Sequence, residues 1–170
     1  MPITQQTNRL KLRLVELEDA QEVFQNFNEE IIEYLYPAVN PSLEATIEVI
    51  KGMIEKQQTK QEEVYAIVLL ENEEFLGLMG LHDLQKETPE IGIWTKKSAH
   101  GHHYGREAVG LLLDRARELG IAKLSYPVDY RNIASCKIAL YFGGQLMIEK
   151  EKITTPDDRI LFINTYEINL

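Results

Sequence analysis

The residues of this chain best placed to do chemistry begin with the run Lys96-Lys97-Ser98-Ala99-His100-Gly101-His102-His103-Tyr104-Gly105-Arg106. Two glycines four apart let a backbone come close to a ligand. Lys96, Lys97 and Arg106 add positive charge, and the segment that follows has helical periodicity. A glycine loop at a helix N-terminus holds anions, because free amides and the positive end of the helix dipole point the same way. A tight strand-to-helix connection is the plain alternative, and spacing alone does not separate the two. His100, His102 and His103 sit in one loop with no carboxylate or cysteine partner placed beside them. They read as structural or phosphate-facing groups, and no metal site is expected. The single cysteine, Cys136, has no evident activating neighbour and reads as a small buried residue. From Leu14 to Ile50 there is no Lys or Arg, but Glu16, Glu18, Asp19, Glu22, Glu29, Glu30, Glu33, Glu44 and Glu48 are present. That is either a solvated helical surface or an acidic rim that draws in an ammonium group.

The elements that must position these residues follow from periodicity. Ile91-Gly92-Ile93-Trp94-Thr95 reads as a strand entering the loop. Val109, Leu112, Leu113, Ala116 and Leu119 mark the helix leaving it, with Gly120 placed to end it. Upstream, Leu10, Leu12 and Leu14 alternate in a first strand from Arg9 to Leu14. Helical pieces are expected from Glu18-Asp19 through Phe27, from Glu29 to Tyr36 before Pro37, and from Ser42, the N-cap, through Ile54. Val64–Leu70 and Phe75–His82 form a hairpin about Glu71-Asn72-Glu73-Glu74. Lys123–Val128 is a strand parallel to Ile91–Thr95, since a helix lies between them. Pro127 lacks a ladder donor, so this strand is expected to part from its neighbour near its C-terminal end. Asn132 caps a helix closed by Gly143-Gly144. Gln145–Lys150 and Arg159–Ile168 are two last strands around Thr155-Pro156-Asp157-Asp158. The result is an α/β (α+β mixed) fold: one largely antiparallel twisted sheet of about seven strands, with one parallel β-α-β crossover and helices on both faces.

At 170 residues the chain is one domain, 1–170, able to bury roughly 70% of its unfolded surface without a disulfide or metal. One cysteine fits a reducing cytoplasm, and Met1-Pro2-Ile3-Thr4-Gln5-Gln6 has neither the charged nor the apolar part of a signal peptide. The longest apolar run, Val64 to Leu70, is too short to span a bilayer. A net charge of −9 argues against nucleic acid or an anionic membrane as partner and favours a cationic substrate. Monomer and homodimer both stay open.

Three stretches carry a family likeness. Thr7-Asn8-Arg9-Leu10-Lys11-Leu12-Arg13, Glu90-Ile91-Gly92-Ile93-Trp94 through Gly105-Arg106-Glu107-Ala108, and Asn132-Ile133-Ala134-Ser135 with Gly143 occur in this order. In them the chain resembles the GNAT superfamily of acyl-CoA-dependent N-acetyltransferases, and within it the RimJ/RimL-like branch that acetylates ribosomal-protein N-termini. The likeness runs along nearly the whole chain. It has departures: in the superfamily's Gln/Arg-x-x-Gly-x-Gly/Ala loop, His100 replaces the first residue and His103 the first glycine. Gly144 stands where Phe is usual, and the tyrosine many members use as the acid falls at Ala139.

The resemblance implies acetyl-CoA as co-substrate, no metal, and direct attack of a neutral primary amine on the thioester. Backbone groups of Ile93, Trp94 and Thr95 would pair with the pantetheine arm. The pyrophosphate would rest on the amides of His100, Gly101, His102, His103, Tyr104, Gly105 and Arg106. Asn132 would meet the arm, and Lys137 or Arg131 the 3′-phosphate. Ser135 is the expected acid or sulfur-orienting group and Glu90 the expected base, with His82-Asp83 as second choice. The alternatives are a capping serine and an exposed carboxylate. An α-amine with a pKa near ~8 is partly neutral at physiological pH, whereas a lysine near ~10.4 costs roughly 4 kcal/mol to deprotonate. A protein N-terminal α-amine or a small amine of lowered pKa is therefore the expected acceptor. The rival class is the same fold binding acyl-CoA with lost or altered catalysis.

Overall fold

The computed structural model describes residues 4–170; Met1-Pro2-Ile3, part of the segment read as lacking a leader, lies outside the described residues. The strands are β1 (Thr4–Gln6), β2 (Leu10–Leu14), β3 (Glu63–Leu69), β4 (Phe75–His82), β5 (Glu90–Thr95), β6 (Lys123–Asp129), β7 (Gln145–Thr154) and β8 (Ile160–Asn169). They form one sheet ordered β1-β2-β3-β4-β5-β6-β8-β7, antiparallel throughout except for β5 beside β6. The helices are α1 (Ala20–Asn26), α2 (Leu43–Gln58), α3 (Tyr104–Glu118) and α4 (Ile133–Tyr141).

The sheet has eight strands rather than about seven. β1 carries the polar sequence Thr-Gln-Gln, so no alternation announces it; it exists by pairing with β2, Gln5 opposite Leu12. β7 runs to Thr154, beyond the expected Lys150. Lys150 holds a positive φ at an irregularity in the pairing, and the alternating charges Glu149–Lys152 hide the strand's period. The expected helix Glu29–Tyr36 shrinks to a 3-10 turn, Ile31–Tyr34, started by the Asn28 side chain accepting from the Ile31 amide. Pro37 bars the backbone before it from continuing as helix, and Leu35 is already extended.

Alternation along the strands divides the core in two. Leu10, Leu12, Tyr65, Ile67, Met79, Leu81, Ile91 and Tyr126 pack with Val109, Leu112 and Ala116 of α3 and with Cys136 and Ala139 of α4. Val64, Ala66, Phe75 and Leu78 pack on the opposite face with Val23 and Phe27 of the α1 region and Ile50 of α2. Leu112 is fully enclosed, and trimming such a side chain to Ala costs about 2–5 kcal/mol. Helix ends follow local chemistry. Ser42 accepts from the Ala45 amide at the start of α2. At the end of α3, Gly120 takes φ +74° while Ile121 and Gly120 donate to the carbonyls of Ala116 and Arg117, a Schellman closure. Gly143 ends α4 in the same way, φ +78°, with Gly144 donating to Ala139.

Candidate active site

β5 and β6 share one register pair, Glu90 with Ser125, and then diverge. The Ser125 amide donates to the Pro89 carbonyl (2.8 Å), so the odd-numbered residues of β6 near this contact present their backbone donors to β5. Pro127 is the next of these and has no donor. Its strand partner is Thr165 of β8, and the side toward β5 is open. On β5 the same alternation turns the N–H and C=O of Ile93 and Thr95 toward the gap. Trp94, expected among the pairing groups, faces the other way: its carbonyl lies against Gly77 of β4, so close that a Cβ there would sit 2.1 Å away. Trp94 instead packs its ring on Phe27 and Phe75, at centroid distances of 5.0 and 6.0 Å.

The gap leads to the glycine loop. Among the described residues, the amides of 101–106 have no hydrogen-bond partner, the first intrahelical bond being Glu107 to the His103 carbonyl. Six free amides at the positive end of a 15-residue helix form an anion cradle. Gly105 packs closely here: a Cβ would sit 3.3 Å from Ile138 Cδ1, a tight contact, and 3.9 Å from Ile93 Cδ1. Gly101, at φ +84°, supplies the turn. His103, at φ 62°, is the helix cap and uses its backbone rather than its side chain. His100 folds back and its Nε2 donates to the Thr95 carbonyl (3.1 Å), while His102 stacks on Tyr104 (5.1 Å). No group of three metal-binding side chains occurs among the described residues.

The charges expected beside the loop are mostly committed elsewhere. Lys96 pairs with Glu74 (3.0 Å) and Lys97 with Glu30 (2.9 Å). Arg106 lies over the Tyr141 ring at 4.5 Å. Arg131, one of two side chains considered for the 3′-phosphate, is held in two bonds by buried Asp129 and stacks between Tyr34 and Phe162. Lys137 remains exposed on α4.

On the α3/α4 side, the Asn132 side chain accepts from the Ser135 amide (3.3 Å) and caps α4. Ser135 Oγ lies 2.8 Å from the hydroxyl of Tyr126, a buried residue of β6. Burial pushes the Tyr126 hydroxyl up to about 12, with the Ser135 bond opposing, so the phenol keeps its proton and can donate to Ser135. That leaves the serine hydrogen free to point elsewhere. Ala139, where the resemblance would place a tyrosine, is fully buried in the core and offers no proton donor. A Cβ at Gly144 would meet the Ala139 carbonyl at 2.7 Å, which accounts for glycine at this position.

On the α1/α2 side, Glu90 stands where the two strands last touch, opposite His82 in register. The residue is exposed at its outer edge, yet the surrounding chain partly desolvates the carboxyl and pushes its pKa up. Asp83 adds to this, and His82 and Lys86 oppose it. Of the acidic segment, Asp19 is bound to Arg13 in two bonds (2.8 and 2.7 Å), Glu48 to Lys51 and Glu30 to Lys97. Glu18, Glu29 and Glu44 stay exposed.

Two sets of residues escaped the sequence reading. Thr7 Oγ1 donates to Glu107, and Arg9 binds the same carboxylate through Nε (2.9 Å) while its Nη2 donates to the His102 carbonyl (3.2 Å) and its guanidinium covers Tyr104. The Thr-x-Arg motif was visible, but a contact across about a hundred positions has no local signal. Tyr126 lies inside the expected strand Lys123–Val128, and nothing in that local pattern marks its hydroxyl as a partner for Ser135.

The fold and gap define an acyl-transfer enzyme, and comparison with known proteins gives the family. Residues 9–145 match the sequence profile of the acetyltransferase (GNAT) domain, and the chain belongs to that family of acetyltransferases. A search of curated proteins by sequence finds no match. Among solved structures, the chain resembles RimL, the ribosomal L7/L12 α-N-protein acetyltransferase, in complex with coenzyme A: TM-score 0.88, 19% identity, 99% of this chain and 98% of that one covered. It also resembles the acetyltransferase from Salmonella typhimurium that modifies the N-terminal serine of the 50S subunit protein L7/L12 (0.83, 19%, 96% and 96%). The microcin C7 self-immunity acetyltransferase MccE, in complex with acetyl-CoA and AMP, is similar too (0.84, 17%, 96% and 94%). At these identities the likeness establishes the fold.

Proposed function

We propose that this protein moves an acetyl group from acetyl-CoA to a primary amine, either the α-amine of a protein N-terminus or a small cationic amine, in the β5–β6 gap. The observation that carries the reading is the continuity of that gap with six free amides at the start of α3. The backbone of Ile93 and Thr95 and the side chain of Asn132 would hold the pantetheine arm. The amides of 101–106 would hold the pyrophosphate, with exposed Lys137 near for a further phosphate. Acetyl-CoA supplies an acetyl carbon activated as a thioester.

The chain's own groups supply proton transfer and position. Ser135 accepts a hydrogen bond from Tyr126 and offers its own hydrogen to the departing sulfur. Glu90, across the sheet, receives the ammonium and draws off a proton. The two residues flank the gap from opposite faces, so amine and thioester meet from opposite sides with little rearrangement. Acceptors resembling those of the ribosomal-protein enzymes fit the pKa argument for an α-amine. The test is thiol release from acetyl-CoA over a panel of N-terminal peptides, polyamines and amino acids. Turnover with one class supports the proposal and names the acceptor. Binding of acetyl-CoA with no turnover over the panel identifies the rival, an acyl-CoA-binding module.

A further inference from the structure

His82 ends β4, and its Nδ1 lies 3.0 Å from Glu62 Oε2. Glu62 is 6% exposed and has one further cation, Lys56, at 3.9 Å. A carboxylate accepts, so Nδ1 donates to Glu62 and Nε2 is the ring nitrogen turned away from it. That nitrogen lies over two glycines: a Cβ would sit 2.8 Å from it at Gly80 and 2.9 Å at Gly92. Gly92 lies within β5, two residues past its pairing with β6, and Glu90 is the cross-strand partner of His82 on the same face. The glycines thus clear a sheet surface on which an oriented imidazole lies flat between a buried carboxylate and the gap. The other charged groups near it are Asp83 and Lys86, bonded to each other (3.0 Å).

We propose that Glu62, His82 and Glu90 form the route by which the amine's proton leaves, with His82 as the group that takes it from Glu90. The inference rests on the acetyl-transfer reading above. Per turnover the ammonium loses two protons as its nitrogen bonds to the acetyl carbon and the carbon–sulfur bond breaks. One, shed by the nitrogen once it has bonded to the acetyl carbon, goes to Ser135 Oγ as that hydroxyl gives its own hydrogen to the departing sulfur, so the serine ends the turnover protonated. The other passes from Glu90 to His82 Nε2 and then to solvent, to which the imidazole is one-third open. Glu62 is a positioning residue that fixes the ring and its tautomer.

The test pairs kinetics with spectroscopy. With an α-amine peptide as acceptor, His82→Gln should lower kcat about 30-fold, within the range of a lost proton-transfer group, while acetyl-CoA affinity by calorimetry stays within about twofold. With methoxyamine, neutral near pH 7, the loss should be under about threefold, because no ammonium proton has to leave. Added imidazole should restore turnover to His82→Ala. Nitrogen-15 NMR of the histidine ring should show the Nδ1–H tautomer in the wild type, and Glu62→Gln should disturb it. Equal losses with both amines, or unchanged kcat in folded His82→Gln, would overturn the route while leaving acetyl transfer standing. A wild-type chain that acetylates no amine removes both.

Discussion

At the scale of single residues, Ser135 and Glu90 belong to opposite faces of one sheet, and β5 and β6 part just past Glu90. In the proposed reaction, Ser135→Ala removes the hydrogen offered to sulfur, and it leaves the Tyr126 hydroxyl without its Ser135 partner. We expect kcat to fall about tenfold, some 1.4 kcal/mol of transition-state stabilisation, with acetyl-CoA affinity unchanged by calorimetry. Glu90→Gln separates activity from stability. The folded state holds the Glu90 proton more tightly than the unfolded chain does, so the charged form opposes folding once pH exceeds its raised value. The neutral amide should therefore lower kcat without lowering Tm at neutral pH, as steady-state rates and thermal melts would show. A loss in both would mark Glu90 as structural.

At the scale of elements, the sequence carried the helix caps and the strand–loop–helix unit clearly. Ser42, Asn132, Gly120 and Gly143 act within a few residues of themselves, and their chemistry is local. Pro127 gave away the divergence of β5 and β6 because a missing donor constrains one side of a strand. What it could not give was which backbone groups face the gap: that depends on register with β4, so Trp94 was placed in the gap when Ile93 and Thr95 face it. Nor did local pattern show that the loop is held by the first strands. Arg9 ties the His102 carbonyl and Glu107 at the start of α3, so Arg9→Ala should slacken the cradle. Acetyl-CoA Kd should rise about tenfold in calorimetry, with kcat at saturation little changed. An unchanged Kd would separate the loop's geometry from its anchor.

At the scale of the whole molecule, three carboxylates join distant elements. Glu63 binds Arg115 (3.0 and 2.8 Å) and so links β3 to α3, Glu107 links α3 to the N-terminal strands through Arg9 and Thr7, and buried Asp129 binds Arg131 and the Phe162 amide (2.9 Å). Burial alone would raise all three. Bonds to Arg115 and Tyr65, to Arg9 and Thr7, and to Arg131 and Phe162 override it and hold them low. Their stabilisation is fully present above the ordinary values, 4.5 for Glu and 3.8 for Asp, and is lost as pH falls through the lowered folded values. Their contribution to urea midpoints should be constant above about pH 5 and fall steeply below about pH 4. Asp129→Ala should cost about 2–3 kcal/mol at neutral pH, since it strands a guanidinium and a buried amide.

On the proposed reading, acetyl-CoA lies along β5 with its pyrophosphate at residues 101–106. Isothermal titration of the wild-type chain with acetyl-CoA tests that claim most directly. The account predicts one site per chain with micromolar affinity, about −8 kcal/mol, weakened in Arg9→Ala. Absence of binding at millimolar acetyl-CoA by a folded chain would contradict it.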